Sequence, residues 1–149
     1  MPERVVQPRG LSHMTFIVSD LDRMEEILAG VLGARKIYDS GEATFSVSEE
    51  RFFLVGEDDI WVAIMKGEPL PQRSYNHVAF RIAEDDLSLY RQRIADLGLD
   101  LRESRPRVDG EGRSLYFHDA DNHLFELHTG TLHERLVRYA AGPAPATAS

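Results

Sequence analysis

Hydrophobic and polar positions along the chain change period in the same order twice. From Leu11 to Val18 apolar residues alternate loosely with polar ones, the pattern of a strand with one face in a core. Ser19 and Asp20 then offer a helix cap, and Met24, Ile27, Leu28, Val31 and Leu32 recur at helical spacing until Gly33 ends the run. Three strand-like runs follow, around Arg35 to Tyr38, Thr44 to Ser48 continuing into Phe52 to Val55, and Ile60 to Met65, with Gly56-Glu57-Asp58-Asp59 as a hairpin turn. The order is βαβββ. Lys66 to Gln72 carries prolines and a glycine that continue neither ladder, so it reads as a linker. The second half repeats the order: a strand at His77, a helix carrying Leu87, Tyr90, Ile94 and Leu97 up to Gly98, then strands near Leu99 to Arg102, Leu115 to Phe117 and Leu124 to His128. Thr131 to Ala141 adds a short helix, and Gly142 to Ser149 reads as a disordered tail.

The repetition extends to individual residues. Leu11–Val18 and Tyr75–Ile82 are near copies, each with a histidine at the same place, and 77 minus 13 gives an offset of 64. That offset carries Trp61 onto Phe125, Phe52 onto Tyr116 and Val62 onto Glu126, so the second copy adds a carboxylate where the first has valine. A lone strand histidine is usually a core or surface residue; a matched pair in two otherwise apolar strands argues for more. Two imidazoles and one carboxylate suit Mn, Fe, Ni or Zn in a site with open coordination positions. Strand alternation puts Thr15 on the face of His13, Tyr75 on that of His77, Tyr116 on that of Ser114 and His128 on that of Glu126. If the sheet curls with the His13 face inward, these groups line one cup. His128 rivals Glu126 as a ligand, while His118, His123 and His133 are left to turns, the surface or support behind a ligand.

Composition narrows the function. A chain of 149 residues with 42% hydrophobic content forms one domain over residues 10–141, built of paired modules at about 10–66 and 75–130. A net charge of −8 argues against nonspecific nucleic-acid binding, which needs a basic face, and an anionic substrate would require a local cationic pocket or a metal. There is no cysteine, hence no thiolate ligand or thiol nucleophile. The first residues lack an apolar signal core and no run reaches transmembrane length, so cytoplasmic residence without membrane contact is expected. Ser104 to Arg113 is a basic, glycine-rich stretch, and Gly110-Glu111-Gly112 is too short for a phosphate loop, which favours a flexible loop that covers a substrate.

Three segments carry a resemblance: Gly10-Leu-Ser-His13-Met-Thr15-Phe16, Tyr75-Asn-His77-Val-Ala-Phe80, and Ser114-Leu-Tyr116 running through Leu124-Phe-Glu126-Leu-His128-Thr-Gly130. They resemble the vicinal oxygen chelate superfamily and, within it, the fosfomycin-resistance enzymes, above all the FosX-type epoxide hydrolases. The resemblance runs from about Gly10 to Arg138. It implies an α+β fold of two βαβββ modules forming a cupped sheet around a metal site, with His13, His77 and Glu126 as Mn(II) ligands. It also implies that Thr15, Tyr75, Ser114, Tyr116 and Arg135 contact the phosphonate or the bound drug, with Arg105 or Arg107 as helpers and Trp61 either beside the pocket or in the core. Glu50 matches the glutamate of the hydrolase members, where thiol transferases carry an amide. Val108 and Gly110 replace the polar potassium-binding loop of those transferases. The implied assembly is a homodimer with sites shared between chains, His13 from one and His77 with Glu126 from the other.

The chemistry so implied is water addition to the epoxide of fosfomycin, giving the vicinal diol and conferring antibiotic resistance. Glu50 would be the general base, and the arginines would pair the phosphonate in a geometry that lysine does not reproduce. Three alternatives stay open: a glutathione or bacillithiol S-transferase, an iron dioxygenase or glyoxalase-like isomerase, and a non-catalytic drug-binding protein.

Overall fold

In each half the period changes are realised as a strand, a helix and three further strands. The computed structural model describes residues 4–103 and 112–143. The chain divides into two units, Met1–Pro69 and Leu70–Ser149, and the division falls inside the proline-bearing linker.

The first unit contains β1 (His13–Val18), α1 (Leu21–Leu32), β2 (Arg35–Asp39), β3 (Glu50–Val55) and β4 (Ile60–Lys66). Its sheet has the order β1-β4-β3-β2; β1 runs parallel to β4 and the other pairs are antiparallel. Asp20 starts α1 by accepting a hydrogen bond from Arg23 N, and Gly33 ends it at φ 65°, a left-handed conformation that costs glycine little. The apolar stripe of Met24, Ile27, Leu28 and Val31 is buried with Val18, Phe53, Val62 and Ile64. Arg51 ties α1 to the sheet, with ion pairs to Asp22 at 2.9 Å, Glu25 at 3.0 Å and Asp39 at 3.3 Å.

The second unit contains β5 (His77–Arg81), a 3₁₀ turn (Glu84–Asp86), α2 (Leu87–Asp96), β6 (Leu101–Glu103), β7 (Ser114–His118), β8 (Leu124–His128) and α3 (Leu132–Ala140). Its sheet repeats the topology as β5-β8-β7-β6, with β5 parallel to β8. The core holds Ile82, Leu87, Ile94, Leu115, Phe117, Phe125 and Leu127. Among the described residues no helix is long and apolar enough to cross a membrane.

Two expectations need correction. Thr44 to Ser48 is irregular chain. The run joins no strand although the outer edge of β2 stays open, and Phe45 and Val47 are 77% and 85% exposed. The second correction concerns the repeat. Phe52 pairs with Ala63 in the first unit and Tyr116 with Glu126 in the second, so Glu126 corresponds to Ala63, at an offset of 63, and not to Val62; likewise Trp61 corresponds to Leu124. The slip comes from the hairpins: Val55 and Ile60 enclose four residues, Gly56–Asp59, whereas the Asp119 N–H bonds the His123 carbonyl around only Ala120–Asn122. Asp119 Oδ1 accepts from the N–H groups of Asp121 and His123, which holds this tighter turn. A one-residue slip exchanges the faces of a strand. It is what puts the carboxylate opposite Tyr116, on the face of His77, while Val62 is fully buried.

Face assignment has a direct test in two adjacent residues. Phe53 is fully buried and Phe52 lies on the other face, half exposed. In urea unfolding, Phe53→Ala is expected to lower stability by about 3–5 kcal/mol and Phe52→Ala by less than half as much. Equal losses would contradict the assignment.

Candidate metal centre

Alternation along the second sheet gathers His77 from β5, Ser114, Tyr116 and His118 from β7, and Glu126 and His128 from β8 on the face opposite the buried Leu115, Phe117, Phe125 and Leu127. His77 Nδ1 stands 2.7 Å from the Tyr75 carbonyl oxygen. A carbonyl only accepts, so this nitrogen carries a proton, and in the Nδ1–H tautomer Nε2 keeps the lone pair that a metal can take. Nε2 faces Glu126 Oε1 at 3.0 Å. The other carboxylate oxygen, Oε2, accepts the Ser114 hydroxyl proton at 2.6 Å.

Behind this pair the polar chain continues. Ser114 Oγ is 2.7 Å from His128 Nδ1, and His128 Nε2 is 3.1 Å from Arg135 Nη2. Thr131 caps α3 by accepting from Glu134 N, which fixes Arg135 in the first turn beside His128. Burial, followed by Arg135, holds the His128 imidazole below its ordinary pKa, against the pull of Glu126. Tyr75 and Tyr116 join their hydroxyls at 3.2 Å, and the Tyr116 ring stands edge-on to His77 at 5.8 Å. Burial, the Tyr75 hydrogen bond and the Glu126 charge push the Tyr116 phenol above the usual tyrosine range. Both groups therefore present neutral forms near pH 7.

A ring nitrogen and a carboxylate oxygen 3.0 Å apart, on a carboxylate only 7% exposed, need a positive charge at their contact, either a proton on Nε2 or a metal cation. Ligand atoms each about 2.1 Å from one metal and at right angles stand about 3 Å apart, so the pair fits a divalent ion of the kind the donor set predicts. The Tyr75 carbonyl and the Ser114 hydroxyl are the outer groups that fix ring tautomer and carboxylate orientation in such sites. Because both nitrogens of His128 are engaged, it stands behind Glu126 and does not compete with it as a ligand.

The first unit carries the other expected residues. His13 stacks on Trp61 at 4.1 Å, Phe52 meets Trp61 edge-on at 5.1 Å, and Ser12 Oγ is 3.0 Å from His13 Nδ1. Trp61 is thus a half-buried neighbour of His13. Thr15 lies on the same face, paired across β4 with Ala63. Glu50 shares that face through its pairing with Met65, and is 9% exposed. Its backbone is clamped on both sides by Ser40, and among the described residues its carboxylate makes no hydrogen bond or ion pair. Among the described residues no group of three or more His, Asp or Glu comes together as a metal cluster. Arg105, Arg107, Val108 and Gly110 lie outside the described residues.

One feature has no counterpart in the sequence reading. Beside Tyr116 a cleft of about 400 Å³ is lined by Arg73, Tyr75, Arg102, His118 and Leu124. Both ring nitrogens of His118 are buried without a hydrogen-bond partner among the described residues. The alternation Ser114, Tyr116, His118 along β7 is the signal that could have placed it on this face.

The chain belongs to the Glyoxalase/Bleomycin resistance protein/Dioxygenase superfamily, whose family model matches residues 10–127. Within it the chain groups with fosfomycin-resistance proteins. It is 63% identical over 133 residues to fosfomycin resistance protein FosX of Mesorhizobium japonicum, spanning 89% of this chain and 94% of that protein. A crystal structure of a FosX variant from Listeria monocytogenes, complexed with Mn(II) and 1S,2S-dihydroxypropylphosphonic acid, matches with a TM-score of 0.80 at 47% identity, covering 89% of this chain and 99% of that one. Metallothiol transferase FosB of Shouchella clausii is 36% identical, over 87% of this chain and 86% of the other.

His118 gives the centre a pH signature. Burial, then the Arg73 cation, lowers its pKa below the ordinary 6.5, so the folded chain resists a proton that the unfolded chain accepts. Its stabilising contribution is complete above pH 6.5 and is lost as pH falls below it. Thermal unfolding between pH 7 and 5 is expected to show a smaller loss of Tm in His118→Phe than in the parent; an identical loss would contradict the assignment.

Proposed function

We propose that the chain is a cytoplasmic Mn(II)-dependent hydrolase that opens the epoxide of fosfomycin with water to give the vicinal diol, and so confers resistance. The observation that carries this reading is the His77–Glu126 pair, whose Nδ1 proton is committed to Tyr75 and whose contact calls for a positive charge. Support for the substrate comes from the FosX relatives, one of which binds Mn(II) together with a dihydroxypropylphosphonic acid.

His77, Glu126 and His13 are the ligands in this reading. When bound, Mn(II) supplies a Lewis acid beside the epoxide oxygen, where negative charge develops as the strained ring opens. Arg135 pairs the phosphonate, and it is already oriented through His128. Ser114, Tyr116, Tyr75 and Thr15 supply hydroxyls to the bound drug, that of Tyr116 remaining a protonated donor through neutral pH. Local cations matter here because the net charge of −8 repels a phosphonate. Glu50 takes the proton of the attacking water: as the water oxygen bonds to an epoxide carbon, the C–O bond breaks, the freed oxygen takes up a proton from solvent, and Glu50 returns its own to solvent, completing the diol. A carboxylate that is nearly buried and has no partner among the described residues is free for that task. An amide there could not act as a base, which separates this reading from thiol transfer, as does the lower identity to FosB.

His13 and Glu50 belong to the first unit, and His77 with Glu126 to the second. The reading takes the two from different chains of a homodimer, an arrangement supported by the family resemblance.

Phosphorus NMR of fosfomycin with Mn(II)-loaded protein is expected to show diol in the absence of any thiol. Glu50→Gln should keep Mn(II) affinity and KM while kcat falls by about 10²–10⁴. Product that appears only with thiol, or a Glu50→Gln enzyme near the parental kcat, overturns the hydrolase reading. The shared site is checked by mixing. His13→Ala and Glu126→Ala should each be inactive, and random subunit exchange should restore about a quarter of parental activity, because each mixed dimer holds one intact site. Continued inactivity after verified exchange would place each site within one chain.

A further inference from the structure

Glu126 has two oxygens in different company: Oε1 faces His77, and Oε2 is held by Ser114. What fixes this division lies one step behind. Ser114 and His128 are directly opposed across β7 and β8, which brings Oγ within 2.7 Å of Nδ1. A serine hydroxyl alone rotates freely and can accept from one neighbour as readily as it donates to another. Its direction here follows from the arginine at the far end of the chain.

We infer that His128 is a positioning residue, locked by Arg135 as the Nδ1–H tautomer so that it turns the Ser114 proton onto Glu126 Oε2 and leaves Oε1 as the single metal-facing oxygen. A guanidinium has donors and no acceptor, so Nε2 of His128 accepts in its 3.1 Å contact with Nη2. The neutral ring then carries its proton on Nδ1 and donates it to Ser114 Oγ. That fills the accepting side of the hydroxyl and sends its own proton along the 2.6 Å bond to Oε2. With Oε2 occupied, the carboxylate resists the rotation that would bring both oxygens toward the cation. The same arginine that pairs the phosphonate thereby sets the orientation of a metal ligand. The inference rests on the reading of His77 and Glu126 as a metal site.

The test uses full-length protein, Mn(II) as the probe and electron paramagnetic resonance of free Mn(II) as the readout. His128→Asn can place an amide N–H where Nδ1–H stands, whereas His128→Gln reaches the Nε2 position and loses the donor to Ser114. Mn(II) dissociation constants are expected to stay within about threefold of the parent for His128→Asn and to rise by about 10–100-fold for His128→Gln. In a Ser114→Ala background, His128→Gln should add clearly less than its own single-variant loss, since most of its effect travels through that hydroxyl and only the rest through the 3.3 Å contact of Nδ1 with Glu126 Oε2. Parental affinity in His128→Gln, equal weakening by Asn and Gln, or full additivity with Ser114→Ala overturns the inference while the metal site stands. A parent that binds no Mn(II) removes the metal site itself, and the inference with it.

Discussion

A histidine nitrogen and a carboxylate oxygen that face each other with lone pairs form an arrangement that only a positive charge can stabilise. In this chain the arrangement is imposed from outside the pair. The Tyr75 carbonyl takes the proton of His77, and Ser114 takes one oxygen of Glu126, so neither partner is free to turn away. The separation of 3.0 Å is set by the parallel pairing of β5 with β8, which puts His77 beside Leu124 and directs both side chains to one face. The rest of the second unit serves that placement: a tight hairpin fixes the β8 register, and capped α3 brings Arg135 to His128.

Most of the architecture could be read from the chain because burial is periodic. Alternating runs became strands, the stripe from Met24 to Leu32 became α1, and Gly33 stopped it where a left-handed residue was needed. Thr44 to Ser48 misled because alternation reports only that a strand is possible; the run pairs with nothing, although the outer edge of β2 stays open, and its apolar Phe45 and Val47 stay exposed. The repeat was legible in its histidines and misaligned at its carboxylate. A fixed offset assumes hairpins of equal length, and only the structure shows that the second is one residue shorter.

That missing residue has chemical weight. With equal hairpins, Glu126 would occupy the place of Val62 and point its carboxylate into the apolar core at a cost of several kcal/mol. With the shorter turn it takes the place of Ala63 and faces the site. The role of His128 was hidden for a related reason. Sequence spacing put it on the face of Glu126, where it looked like a competing ligand, and only its contacts to Ser114 and Arg135 show that both ring nitrogens are engaged. Glu50 was picked out by resemblance; its burial without a partner among the described residues is a structural fact that no spacing rule contains.

The proposed function requires a divalent cation at the His77–Glu126 pair. Anomalous diffraction from Mn(II)-soaked crystals, recorded at the manganese edge, tests it most directly. One strong peak per site is expected, about 2.1–2.2 Å from both His77 Nε2 and Glu126 Oε1, with Glu126 Oε2 still bonded to Ser114. A peak elsewhere, or a fully loaded protein with no peak between these two atoms, would contradict it.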